Sequence, residues 1–347
     1  MVSSAQSAHE QLRDEVARLR KVAAEQTDDG DLWKQIGPGT ITGLDRIAKD
    51  LDAGRTFVAL RALAIFRVNL LGYAFAATHL DIAKDDMKAF DAQRQRMDGE
   101  LRRLEEQYRA GQWGNQPAAV RATAEASWGM ARPLFDGSRD YAAATSTKYG
   151  LFYLGQAQAA ADFALFCRAL RFDGKAGQIA VRSFAVDTDA LDVKVENAYQ
   201  PPLSIERHSD FISINGWIKR ATELDQWRLY YGALYAYLEG VRSFGDLQTT
   251  VPKKKELPAL GKMHAALAKQ FAAAGRDHSI AQMYLELAAR ELERAQAGEE
   301  ASGRTARVLL EHVVPAYAAA LERAAAVPAA TPNQKVVTVT LVRWPFT

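Results

Sequence analysis

The chain has 347 residues, 48% hydrophobic and 25% charged, with 44 basic and 42 acidic side chains and a formal net charge of +2. These values exclude a wholly disordered chain, and so even a balance makes neither nucleic acid nor an anionic membrane the expected main partner. One cysteine, Cys167, excludes an intramolecular disulfide and a zinc site of paired cysteines; its place in "ADFALFCRALRF" reads as a small buried hydrophobe.

The first residues, "MVSSAQSAHEQLRDEV", contain no apolar signal core. The expectation is a soluble protein, cytoplasmic as written, or periplasmic if a signal peptide once preceded the small residues. A first helix is predicted over about 4–26, with Leu12, Val16, Leu19 and Ala23 as its apolar stripe. The segment "TDDGDLWKQIGPGT" carries glycines and a proline and predicts a break, after which Thr42 starts the next helix with Asp45 three residues on. "LDAGR" connects this to the apolar helix 56–78. Arg61, Arg67 and Asn69 interrupt that segment, which reads as a buried helix and not a membrane span.

Residues 85–110 predict a long, exposed, one-faced helix with Phe90, Met97, Leu101, Leu104 and Tyr108 at helical intervals. Helix returns from Ala118 to about Phe135, disturbed by Pro133, and again through "YGLFYLGQAQAAADFALFCRAL". The period then changes. "GQIAVRSF" and "LDVKVENAYQ" alternate at period two and predict a β-hairpin over roughly 178–197. Helix resumes by Ser213, followed by the aromatic helix "DQWRLYYGALYAYLEGVRSF". Three more helices are expected at about 260–274, 279–297 and 305–326.

The chain ends in "KVVTVTLVRWPFT", a β-branched alternating stretch whose backbone needs a ladder. The predicted hairpin is its matching partner. The expected fold is therefore mainly α, with antiparallel helical pairs in a solenoid-like array or irregular bundle. A small three-stranded β element would form from the central hairpin and the C-terminal strand. The expected regions are 1–172 (helical), 173–202 (hairpin insertion), 203–327 (helical) and 328–347 (linker and strand). The rival reading gives the last strand to a neighbouring molecule by β-augmentation. Three segments, "LLGYAFAATHLDIAKDDMKAF", "FYLGQAQAAADFALFCRAL" and "IAQMYLELAARELERA", resemble the tetratricopeptide-type helical hairpin, which would imply a stacked array.

For chemistry the sequence offers little. Its six histidines form no HExxH, and no G-x-G-x-x-G, P-loop or G-x-S-x-G occurs. In "HLDIAKDDMKAFDAQRQR", Asp85, Asp86 and Asp91 resemble the first aspartate-rich motif of isoprenyl diphosphate synthases. That resemblance implies an all-helical enzyme whose carboxylates hold magnesium on a diphosphate. No second D-D-x-x-D follows, and the same residues suit an acidic first turn facing the helix dipole. Aromatic clusters are the other candidates: Trp227, Tyr230, Tyr231 and Tyr235 in one, Tyr149 and Tyr153 in the second. Such residues serve as inter-helix packing or as a recognition surface. The reading that follows is a non-catalytic binding or scaffold protein, with no cofactor, taking a protein or peptide in an inter-helix groove. The alternatives are the magnesium-dependent diphosphate enzyme and an assembly subunit joined through its C-terminal strand.

Overall fold

A computed structural model describes residues 7–26, 31–79, 81–82, 86–172, 179, 181–199 and 205–326. The described residues form helices: α1 (Ala8–Ala24), α2 (Asp31–Asp52), α3 (Thr56–Ala77), α4 (Met87–Ala110), α5 (Ala118–Ala144), α6 (Thr147–Ala169), α7 (Ala185–Ala198), α8 (His208–Gln226), α9 (Tyr230–Gln248), α10 (Leu257–Ala273), α11 (Ser279–Gln296), α12 (Glu300–Val308) and α13 (Val314–Ala326).

Helix α1 begins at a capping box, in which the Ser7 side chain accepts from the Glu10 N–H and Glu10 accepts from the Ser7 N–H. Its stripe Leu12, Val16, Leu19 and Ala23 is buried, as the spacing predicts. The long one-faced helix is α4, with Phe90, Met97, Leu101, Leu104 and Tyr108 all buried. α5 and α6 form the central antiparallel pair, flanked by α3 on one side and α9 on the other. α3 and α6 approach closely because both are glycine at the crossing. A Cβ on Gly72 would meet the Phe152 carbonyl oxygen at 2.9 Å, and one on Gly155 would meet the Gly72 Cα at 2.9 Å. α3 is long and apolar enough, by length and composition, to cross a membrane. Here it lies against α1, α2, α5, α6 and α11. Cys167 is fully buried on α6, and burial pushes its thiol well above the usual range.

The stacked array is not what forms. In a solenoid each unit touches only its neighbours. Here α11 reaches back to α3 and α5, and α9 packs on α5, so the helices make an irregular bundle.

The three-stranded β element is not present: no strand occurs among the described residues. The predicted hairpin 178–197 is overturned by α7, which covers 185–198. "VKV" has period two, but Thr188, Leu191 and Val195 are spaced for one helical face, and that face is buried while Val186 and Val193 are exposed. Asp225 of α8 anchors the start, accepting from the Phe184 N–H at 2.7 Å and the Ser183 hydroxyl at 2.7 Å. Tertiary packing decides between two local readings. The expected strand over 335–347 lies outside the described residues.

Two predicted interruptions are also absent. α2 runs from Asp31 through Pro38, where a break was expected before Thr42. Pro38 lacks an N–H and leaves the Lys34 carbonyl without its helical donor, while two residues on the Thr40 hydroxyl donates to the Ile36 carbonyl at 2.7 Å. α5 likewise continues past Pro133 to Ala144. The last helical stretch, α12 to α13, is joined by a π-turn over Leu309–Val313 just before Pro315. The wider turn accommodates a ring that has no N–H to give back to residue 311.

Candidate functional site

The sequence "DQWRLYYG" reads as part of one continuous helix, and the structure breaks it. α8 stops at Gln226, and Arg228 takes a left-handed conformation with φ of 60°. The Leu229 N–H bonds back to the Leu224 carbonyl at 2.9 Å, and the Arg228 N–H to the Asp225 carbonyl at 2.9 Å. This is a Schellman turn, normally built on glycine. Arg228 is the one non-glycine residue among those described with a positive φ. The turn places Trp227 and Leu229 on the wall of a groove of about 580 Å³ between α4 and α5.

α4 contributes Leu101, Arg102, Glu105, Tyr108 and Arg109, one helical face; α5 contributes Trp128, Ala131 and Arg132 across from it. The floor is aromatic. Tyr108 stacks on Trp128 with ring centres 4.4 Å apart and planes 3° from parallel, and Trp113 meets Tyr108 edge-on. Trp227 is 47% exposed. Gly129 leaves room beside it, since a Cβ there would already meet Leu224, with the Trp227 ring at 3.7 Å. Arg220 of α8 donates to the Gly129 carbonyl and ties α8 to α5. Arg168 of α6 donates to the carbonyls of Tyr108 at 2.8 Å and Gln107 at 3.0 Å, closing the C-terminal end of α4.

The rim is cationic but tethered. Arg102 and Arg132 share Asp98 at 2.6 and 3.0 Å, and Arg132 also reaches Asp136 at 3.1 Å. Arg109 pairs with Glu105. Asp98 loses some hydration, which raises its carboxyl, yet the Arg132 and Arg102 hydrogen bonds hold it below the usual carboxylate range. All three guanidinium groups remain largely exposed.

Of the residues singled out from sequence, Trp227 alone lines this groove. Tyr230 and Tyr231 are half-buried beyond it, with the Arg121 guanidinium 4.4 Å over the Tyr231 ring. Tyr235 is buried beside Arg61 and edge-on to Trp217. Tyr149 and Tyr153 sit on α6 in the other part of the core, where Tyr153 stacks on Tyr141 at 3.9 Å. Sequence reading did not single out Trp128, Arg102, Arg109 or Arg132, and it took Tyr108 for an ordinary stripe position. The one local signal was "WRL" at a helix junction without the glycine that such a junction favours.

Two aspartates of the diphosphate reading are otherwise engaged. Asp86 caps α4, accepting from the Ala89 N–H at 3.0 Å, and Asp91 pairs with Arg139 at 3.2 Å. Asp85 lies outside the described residues. Among the described residues no group of three His, Cys, Asp or Glu is placed to hold a metal ion.

A larger cleft, about 850 Å³, opens beneath α10. Three of its polar groups act as helix caps. Glu286 accepts from the Phe57 and Val58 N–H groups at the start of α3, both at 3.1 Å. Asp277 accepts from Ala118 and Ser279, and the Ser279 hydroxyl accepts from Ala119 at 2.9 Å. Burial pushes the Glu286 carboxyl up to about 7, because its partners are N–H groups and no cation among the described residues is bonded to it.

No family model, curated protein or solved structure matches the chain.

Proposed function

We propose that this chain is a non-catalytic binding protein that takes an acidic amphipathic helix in the groove between α4 and α5. The observation that carries this is the half-exposed Trp227 ring beside the stacked Tyr108–Trp128 pair, held there by a left-handed arginine. Backbone strain of this kind, of order 1–3 kcal/mol, concentrates where a side chain must be presented. Tryptophan, tyrosine and arginine are also the residue types that dominate binding energy at interfaces. The aromatic floor suits an apolar anchor at i, i+3 and i+4 of a partner helix, and the exposed guanidinium groups of Arg102, Arg109 and Arg132 suit carboxylates flanking it.

The test uses a labelled model helix with Leu and Phe on one face and Glu on the other, and its counterpart with Lys in place of Glu, followed by fluorescence anisotropy. The Glu helix is expected to bind saturably, more weakly as salt rises. Trp227→Ala is expected to weaken it at least tenfold with little change in melting temperature, since half of that ring is already in solvent. Equal affinity for the Glu and Lys helices, or affinity indifferent to Trp227→Ala, overturns the proposal.

A further inference from the structure

A polar cavity of about 520 Å³ lies where four helix ends meet: the starts of α8 and α12 and the ends of α9 and α11. Four arginines line it, and three are tied down. Arg207 bonds to Asp210 at 3.0 Å and to the Leu247 carbonyl at 3.2 Å. Arg242 bonds to Glu239 at 2.9 Å and Asp246 at 3.2 Å. Arg294 pairs with Glu291 at 3.3 Å and with Glu299.

Arg304 differs. It has no hydrogen bond or ion pair among the described residues, and its Nε is buried with no acceptor. A desolvated N–H without an acceptor costs about 1–3 kcal/mol, and buried polar atoms left this way are rare enough to call for an explanation. The acids lining the cavity do not bond it, although the Arg304 charge acts on the Asp246 carboxyl and offsets part of the effect of its burial. Asp210, Asp246 and Glu291 are each bonded to one of the other arginines. Two hydroxyls in the same lining, those of the exposed Ser213 and the half-buried Ser243, have no protein partner among the described residues. The cavity thus offers one guanidinium with no bonded acid and two open hydroxyls, while each of its three carboxylates is already bonded to another arginine.

We propose that this cavity binds a small phosphomonoester, with its phosphate on the Arg304 guanidinium and the Ser213 and Ser243 hydroxyls. A phosphomonoester brings a charge of about −1.5 to −2 and three acceptor oxygens, which matches a planar guanidinium fork surrounded by hydroxyl donors. The volume lies within the range of small-molecule sites, so an organic group fits beside the phosphate. This site shares no lining residue with the α4–α5 groove and stands or falls independently of it.

Calorimetric titration of the full chain at constant ionic strength decides the matter, with glucose 6-phosphate, glucose and inorganic phosphate as probes. Glucose 6-phosphate is expected to bind saturably, inorganic phosphate more weakly and glucose not at all. Arg304→Gln is expected to lower affinity for the ester at least tenfold with little change in melting temperature, because no hydrogen bond or ion pair among the described residues is lost. Arg304→Lys should recover part of the binding. Heat no greater than that of equimolar chloride, or an Arg304→Gln protein that binds the ester as the wild type does, overturns the proposal. Inorganic phosphate binding as tightly as the ester overturns the assignment to a phosphomonoester and leaves a free-anion site.

Discussion

Tyr108 carries its hydroxyl into the groove floor, where it is buried and has no acceptor among the described residues. Burial pushes that hydroxyl far above its usual range, with Glu125 adding to the effect, so the group stays neutral and unpaired. The ring does the structural work through Trp128 and Trp113. Tyr108→Phe removes only the unpaired oxygen and is expected to leave stability unchanged or raise it by about 1 kcal/mol, measured by urea denaturation. Tyr108→Ala removes the stack and is expected to cost about 3–5 kcal/mol. A loss of more than about 1 kcal/mol in Tyr108→Phe would mean that the hydroxyl does have a partner. Arg228 is the second residue whose local cost is visible. In the left-handed region glycine is at home and arginine is not, so Arg228→Gly is expected to raise the melting temperature slightly, by relief of about 1 kcal/mol. An unchanged or lower melting temperature would indicate that the arginine side chain returns as much as its backbone costs.

Among the elements, α3 shows how an end is held by a distant helix. No side chain of its own N-cap residue, Arg55, accepts its first amides; Glu286 of α11 does so. The carboxyl sits near 7 in the folded chain against an ordinary value of 4.5. A folded-state value above the unfolded one means that the folded protein holds the proton more tightly between about 4.5 and 7. Glu286 therefore contributes stability below pH 4.5 that is lost as pH rises through 7. Arg55, Asp50, Gln282, His264, Asp277 and His278 lie around the same cleft or its edge. In Glu286→Gln, which still offers an oxygen to the two amides, the fall in stability between pH 5 and 8 is expected to flatten. A wild-type and variant profile of identical slope would refute the assignment.

How far these elements can be read from sequence depends on what decides each one. α1 and α4 are legible because their apolar positions repeat at helical spacing and local signals mark their ends. α7 is not, since "LDVKVENA" satisfies both periods and the choice rests on where Leu191 and Val195 find a core. The α2 segment misleads because Gly-Pro-Gly normally breaks a helix, whereas here the helix packs along α3 and runs on. The groove is hardest to foresee. Trp227 is visible as an aromatic, but its partners Tyr108 and Trp128 lie about a hundred residues earlier, and the break at Arg228 lacks its usual glycine.

Across the whole molecule, buried charge joins helices that are distant in sequence. Arg61 of α3, Glu239 and Arg242 of α9 and Tyr284 of α11 meet in the core, with Glu239 almost fully buried. Arg61 donates to both Glu239 oxygens at 2.8 and 2.9 Å, Arg242 to one at 2.9 Å, and the Tyr284 hydroxyl to the other at 3.1 Å. A second chain of ion pairs runs from Arg55 through Asp50, Arg290 and Glu291 to Arg294, linking α2 and the start of α3 to α11. In the first cluster burial pushes the Glu239 carboxyl up, but Arg61 and Arg242 more than offset this and hold it down to about 2. A folded-state value below the ordinary 4.5 means that the stability it contributes is present above about pH 4.5 and is lost as pH falls toward 2. Glu239→Gln leaves the buried Arg61 guanidinium without its carboxylate and Arg242 with Asp246 alone, and is expected to cost about 3–5 kcal/mol. It should also remove part of the wild type's loss of stability between pH 4.5 and 2. Tyr284→Phe takes away one hydrogen bond and leaves the ions paired, so its cost is expected to be about 1 kcal/mol, with the wild-type acid profile retained. If both variants lose the same amount and acidify alike, the charge at Glu239 is not what binds α3, α9 and α11 together, and the apolar packing around it must do so.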